Sequence, residues 1–326
     1  MNANVTSQSD VAPQPKKVWR TVLQTALQYG GSALILYFLF RFLPAHQVWQ
    51  TLGRLSRKLW ILAIAGYLAA HVIGAFKYRL VLNMGGAGMS LRNSARCYFA
   101  GLFGSLFLPS LIGGDILRIA MALRVGRSRA GVLLGSVVDR ISDFSALAIL
   151  AALGALLVPG GLDPANRKIF LLVSAVGVVA FVTLAILIAF LPVRWFSYKL
   201  RRKFVRLREA GRSIIRQPGT MLYALAMSTA VQLAFISLNV RLAKACGLDL
   251  PFRVWLFAWP LAKLCAALPV TQAGIGVREA ATAALLLPFG APAALSVATG
   301  LAWDVVVIGG AIAGGIFALV VRSEKP

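Results

Sequence analysis

The sequence predicts an all-α polytopic membrane protein with about six full spans and two opposed re-entrant or broken helical hairpins, arranged like an inverted repeat. Three observations lead there. Of 326 residues, 59% are hydrophobic and 13% charged, with a mean hydropathy of +0.78, where a soluble domain carries about 25% charged residues. Six apolar stretches, near 22–43, 59–82, 130–158, 168–191, 220–245 and 291–320, reach the roughly 20 residues needed to cross about 30 Å of hydrocarbon. Two more, near 93–124 and 252–288, are interrupted by Pro and Gly and then resume with an arginine.

The domain organisation is simple. Residues 1–20 are polar and basic with no apolar run before Lys16, so they are expected to be a disordered cytoplasmic tail and not a cleaved signal peptide. Residues 21–321 are expected to form a single transmembrane domain, followed by a short tail at 322–326. Cys97, Cys246 and Cys265 are scattered in or beside apolar runs, which implies small-volume packing and neither a disulfide framework nor a metal site. His46 falls in a loop and His71 is expected to hydrogen-bond inside a helix; two distant histidines make no metal-ligand set.

The net charge of +24 would suggest nucleic acid on a soluble protein, but its placement decides otherwise. Nine Lys and Arg lie between Arg194 and Arg216, with Glu209 the lone acid among them. Beside a span, such a cluster stays cytoplasmic and is drawn to anionic lipid headgroups. Trp195, Phe196, Phe204, Val205 and Ile214 could give it an amphipathic, surface-lying helix. Counting spans from that loop places Lys16, Lys17, Arg20, Lys77, Arg79, Arg92, Arg96, Arg118, Arg124, Arg127 and Arg129 on the cytoplasmic side, with Arg322 and Lys325. Arg54, Arg57 and Lys58 conflict with that count. By the same parity the two hairpins enter from opposite faces.

The broken segments carry the candidate site. The first reads Leu108-Pro109-Ser110-Leu111-Ile112-Gly113-Gly114-Asp115-Ile116-Leu117-Arg118, and the second runs from Leu268-Pro269 through Gly274 and Gly276 to Arg278-Glu279. A shift of 160 positions aligns Leu108 with Leu268, Pro109 with Pro269, Gly114 with Gly274 and Arg118 with Arg278. Broken helices at matching places in two halves point to a transporter's binding site, since freed helix ends can meet a substrate at membrane depth. Arg118 and Arg278 are expected in the first turn of such half-helices, where free N–H groups favour an anion and an arginine fork captures phosphate. Gly113, Gly114, Gly274 and Gly276 would let a headgroup approach; plain kinking or packing is the alternative.

Asp139, Arg140 and Asp143 lie within the third full span, and Asp304 within the last. Each such charge costs about 2.5–3.5 kcal/mol to insert, so it marks a pathway or a pair. Asp139 and Asp143 share a helical face at i, i+4, which calls for a cation between them or for a bound proton. Arg140 with Asp143 and Asp115 with Arg118 offer local pairs at i, i+3. Satisfied ion pairs that hold the bundle together are the competing reading. No GxSxG, HExxH, P-loop or dinucleotide fingerprint is present, so no enzyme class is indicated.

These strings, above all Asp139-Arg140-Ile141-Ser142-Asp143 and Gly274-Ile275-Gly276-Val277-Arg278-Glu279, resemble the flippase-like transmembrane family of lysylphosphatidylglycerol synthases, over about residues 20–320. The resemblance implies translocation of aminoacylated or other anionic lipids between leaflets of a bacterial inner membrane, around Arg118, Asp139, Arg140, Asp143, Arg278 and Glu279. Phospholipids, polyprenyl phosphates and hopanoid-pathway lipids are the candidate cargo. The 326 residues hold no counterpart of the soluble aminoacyl-transfer domain of the two-part synthases, so lysyl transfer is expected to be absent, as are cofactors. The expected partners are membrane lipids and lipid-biosynthesis enzymes, not nucleic acid. An intramembrane headgroup-modifying enzyme, a non-transporting accessory of lipid synthesis and a carrier of small anions are the alternatives.

Overall fold

The computed structural model describes residues 37, 45–107, 111–158, 198–267 and 274–324. The stretches at 22–43 and 168–191, and both Pro109 and Pro269, lie outside these apart from Tyr37. Ten α-helices occur among the described residues: α1 (Ala45–Gly53), α2 (Arg57–Met84), α3 (Leu91–Gly104), α4 (Leu111–Val125), α5 (Arg129–Leu157), α6 (Tyr198–Ile215), α7 (Pro218–Ala245), α8 (Phe252–Ala266), α9 (Val277–Leu286) and α10 (Ala293–Val320). Helices α2, α5, α7 and α10 are long and apolar enough to cross a membrane. They match four of the six stretches read from sequence. His46, expected in a loop, is in α1 and meets Gln50 at 3.0 Å, because the one-turn spacing of the two side chains closes only on a helix.

Local sequence sets the boundaries. Ser56, Ser90 and Ser128 cap α2, α3 and α5, their hydroxyls accepting from the N–H groups of Leu59, Asn93 and Gly131, as N-cap serines do. Pro218 opens α7, where its missing N–H is no loss. The ends of α2 and α7 share one geometry. Gly86 and Gly247 both have positive φ, +79° and +87°. Past them, Ala87 N donates to Leu82 O and Leu248 N to Ala243 O, which is the 6→1 bond of a Schellman cap.

Those two caps are 161 positions apart (247 − 86), and so are the starts of α2 and α7 (218 − 57) and of α3 and α8 (252 − 91). The chain therefore contains two similar units, each a long helix, a pair of short helices in contact, and a second long helix. Their packing is reciprocal: α3 of the first unit lies against α10 of the second, α8 of the second against α5 of the first, and α2 against α7. Each broken segment is thus a helix pair, α3 with α4 and α8 with α9, seated on the other unit.

Close approach needs small residues at these contacts, as is usual where lipid removes the hydrophobic drive between helices. A Cβ on Gly154 of α5 would stand 2.3 Å from Phe257 N of α8. Gly309, Gly310, Gly314 and Gly315 of α10 face Ile64, Tyr67, Phe99 and Phe103 of the same chain. Cys97 and Cys246 are buried and Cys265 is exposed, so the expected packing role holds for two of the three.

One end of the molecule gathers much of the basic sequence. The Ser213 hydroxyl of α6 donates to Met84 O at the end of α2, Arg127 N donates to Ala87 O, and Arg92 pairs with Glu324 beyond α10. Ala210 and Ile214 dock α6 against Met84 and Leu134.

Gly154→Ala should lower stability by about 1–3 kcal/mol through overpacking of α5 on α8, measured as the thermal unfolding midpoint in detergent. Gly219→Ala, whose Cβ meets nothing within 4 Å, is the matched substitution and should leave the midpoint unchanged or raise it.

Candidate functional site

A cavity of about 190 Å³ lies between the two units, and α2, α3, α4, α5, α7, α8, α9 and α10 all contribute to its wall. Tyr67, Phe235 and Trp303 form the apolar side. Tyr67 stacks on Phe235 at 5.4 Å, and Trp303 meets Tyr67 and Phe235 edge-on at 5.6 and 5.5 Å. The polar side holds Lys77, Asp115, Arg118, Arg140, Asp143, Gln232, Lys263 and Arg278. Larger apolar grooves occur elsewhere, such as one of about 760 Å³ along Ile73, Phe76 and Tyr223, but they lack this convergence of charge.

The first unit supplies most of a charge network, joined by Ser228 of the second. Asp139 is wholly buried and stands between two cations: Arg118 Nη2 donates to its Oδ2 at 2.8 Å and Lys77 Nζ is 3.0 Å from its Oδ1. Lys77 Nζ also bonds Asp143 Oδ1 at 2.5 Å and Ser228 Oγ at 3.0 Å, while the Ser228 hydroxyl donates to Asp143 at 2.9 Å. Lys77 is therefore the cation that the Asp139/Asp143 spacing demands. Arg140 pairs with Asp115 across the α4–α5 contact. The local i, i+3 pairs are longer, 3.3 Å for Arg118 with Asp115 and 3.9 Å for Arg140 with Asp143. The Arg118 guanidinium also lies over Tyr78 at 4.2 Å and Tyr98 at 5.3 Å, within cation–π range.

The second unit is sparser. Arg278 bonds Asp304 and, through Nε, Glu279 Oε1 at 3.1 Å. Glu279 is fully buried, and its Oε2 accepts from Gly276 N at 2.6 Å. One of the free N–H groups at the start of α9 is thus occupied by the chain's own carboxylate, as in a capping box. Lys263 Nζ donates to Gln232 Oε1 at 3.0 Å and lies 4.8 Å from the Phe235 ring.

Several sequence-based expectations change here. Arg278 does sit in the first turn of its half-helix, but Arg118 is the eighth residue of α4; it reaches the site by helical spacing from Asp115, not through a free helix end. Lys77, counted as a cytoplasmic flank, is 2% exposed within the span and bound to two aspartates; an ammonium on an apolar helix is drawn inward by buried carboxylates. Gly114 lines the cavity, and a Cβ there would stand 2.4 Å from Gly101 O, so it also sets the α3–α4 approach. Gly113 is buried in α4. Gly274 and Gly276 have φ of +77° and +89°, conformations that favour glycine. His71 meets the Tyr98 hydroxyl at 3.0 Å. Lys263, Gln232, Tyr98 and Ser228 escaped sequence reading; for Lys263 the available signal was a lone cation in the apolar run Leu261-Ala262-Lys263-Leu264.

Fold and site together define a multi-pass membrane protein with an internal repeat and a charged chamber at the contact of its two units. Residues 11–315 match the family described as Lysylphosphatidylglycerol synthase TM region, and the chain belongs to that family. No characterised protein and no solved structure matches it.

Removing Asp139 strands both Lys77 and Arg118. Asp139→Ala should destabilise by about 3–5 kcal/mol, the usual result of breaking a buried pair from one side. Lys77→Met combined with Asp139→Leu should lose less than the sum of the single changes in a double-mutant cycle on thermal unfolding. Strict additivity would mean that the two groups are uncoupled.

Proposed function

We propose that the protein is a lipid translocase of the bacterial cytoplasmic membrane, moving a phosphate-bearing or aminoacylated anionic lipid between leaflets, and that it is not an enzyme. The observation that carries this is the composition of the chamber wall. Five cations, Lys77, Arg118, Arg140, Lys263 and Arg278, line it with only two of the five surrounding acids, Asp115 and Asp143; Asp139, Glu279 and Asp304 stand behind. Membership of a family tied to membrane lipid metabolism agrees.

Size is consistent too. A volume of about 190 Å³ falls below the roughly 300–1,000 Å³ of pockets that enclose whole drug-sized ligands. It suits a headgroup whose chains stay in the bilayer. A bare phosphate in hydrocarbon faces a large desolvation penalty, which fixed donors lower. On this reading, Asp115 and Asp143 meet an amine where the headgroup carries one. The two helix pairs act as re-entrant hairpins of an inverted repeat, and rocking of one unit against the other opens the chamber to each leaflet in turn. The basic end, with α6 and the stretch that follows α10, faces the cytoplasm and its anionic lipids.

Leaflet exchange of fluorescent anionic lipids in proteoliposomes tests the reading. The wild type should exchange them, while Arg278→Ala should slow exchange about tenfold or more, provided that it purifies with a normal unfolding midpoint. Asp304→Asn should also stall exchange while remaining folded. A wild type that moves no lipid across a broad panel removes the translocase reading, and product formed from lipid by the purified protein would replace it with headgroup chemistry.

A further inference from the structure

The five cations of the chamber are not equivalent. Four of them are already bound to carboxylates: Lys77 to Asp139 and Asp143, Arg118 to Asp139, Arg140 to Asp115, and Arg278 to Asp304 and Glu279. Lys263 differs. Among the described residues no carboxylate lies within 4.0 Å of its ammonium, which is held instead by the neutral amide oxygen of Gln232 and by the face of Phe235. Both Lys263 and Gln232 face the chamber.

We propose that Lys263, with Gln232 beside it, is the first anchor for the phosphate of the incoming substrate, and that the Arg118 network is a latch that joins helices and does not hold the ligand. This rests on the translocase reading and assigns the headgroup contact within it.

The argument is one of exchange. Arg118 keeps one buried donor, Nε, without a hydrogen-bond partner, but its Nη2 is held by Asp139 at 2.8 Å and its plane lies over two aromatic rings. An anion that takes the fork of the guanidinium therefore has to draw it from Asp139 and leave a wholly buried carboxylate short of a partner. An anion that recruits Lys263 displaces only an amide carbonyl. Gln232 can then turn its NH₂ toward the phosphate, since a carboxamide carries acceptor and donors on one pivot. Net exchange of a neutral partner for a charged one strengthens the ammonium's hydrogen bond. Lys263 is in the last turn of α8, three residues after Pro260.

The repeat shows that this feature belongs to one unit only. At the 161-residue shift, Lys263 corresponds to Leu102 (263 − 102) and Gln232 to His71 (232 − 71), and both of those also line the chamber. The first unit thus offers paired charges and an apolar counterpart where the second offers a cation with a neutral partner. The chamber is electrostatically lopsided toward the second unit, and phosphate should settle there.

Binding of two probes to purified full-length protein tests the assignment: inorganic phosphate and a short-chain phosphatidylglycerol, each titrated in detergent. Lys263→Gln should weaken phosphatidylglycerol binding about tenfold or more, with an unfolding midpoint at or above that of the wild type, and Lys263→Arg should restore most of the affinity. If Lys263→Gln binds the lipid as the wild type does, or loses binding only together with its fold, Lys263 is not the anchor, although lipid exchange by the wild type would still uphold the translocase reading. Binding of inorganic phosphate alone, lost in Lys263→Gln, keeps the anchor but makes the cargo a soluble anion. A wild type that binds neither probe ends the assignment, and absence of lipid exchange in the same preparation ends the wider reading with it.

Discussion

Asp139 is the charge that the surrounding architecture is obliged to satisfy. It is entirely buried in α5, between Lys77 of α2 and Arg118 of α4, and an isolated carboxylate at that depth would not be tolerated ionised. Satisfying it fixes three helices at once. Lys77 then brings in Asp143 and, through Ser228, the second unit's α7. Arg118 draws Tyr78 and Tyr98 over its planar face. Between helices that have little to gain from the hydrophobic effect inside a bilayer, such pairing supplies geometry that apolar contacts alone would leave loose.

The two units solve a shared problem with different amounts of charge. Both present an arginine near the start or middle of the second short helix, and both oppose it with an aspartate from the long helix that follows: Asp139 in α5 and Asp304 in α10. The first unit adds Lys77, Arg140, Asp115 and Asp143 and becomes a network. The second adds Glu279, which turns back to cap its own helix, and leaves Lys263 to a neutral partner. Similar caps and reciprocal packing thus frame a chamber whose two sides differ in chemistry.

Much of this was legible in the sequence. Long apolar runs declared α2, α5, α7 and α10, because hydropathy over about 20 residues leaves few other options. The register of the two broken segments was visible from Pro, Gly and Arg alone, to within one position of the 161-residue shift seen in the caps. The intramembrane Asp139, Asp143, Arg278, Glu279 and Asp304 stood out by being charged where charge is expensive. What stayed hidden was partnership. Arg118 looked free for an anion because its true partner is 21 residues away on another helix. Lys77 looked like a flanking topology signal, since a count of positive charges cannot distinguish an ammonium that snorkels outward from one pulled in by two aspartates. Lys263 offered only a lone cation in an apolar run; the fold alone brings Gln232 and Phe235 to it.

The exchange of helix pairs between units has a consequence for how the chain is made. Helix α3 ends at Gly104 and its neighbour α10 begins at Ala293, 189 residues later (293 − 104). At a synthesis rate of about 5–20 residues per second, α3 waits on the order of 10–40 s in the membrane before the surface that covers it exists. During that interval Phe99, Leu102 and Phe103, which meet Gly314 and Gly315 of α10 in the finished fold, face lipid or whatever insertion machinery shelters them. Neither half of the chain is therefore a finished folding unit, and the repeat, although it reads as two copies, matures as one.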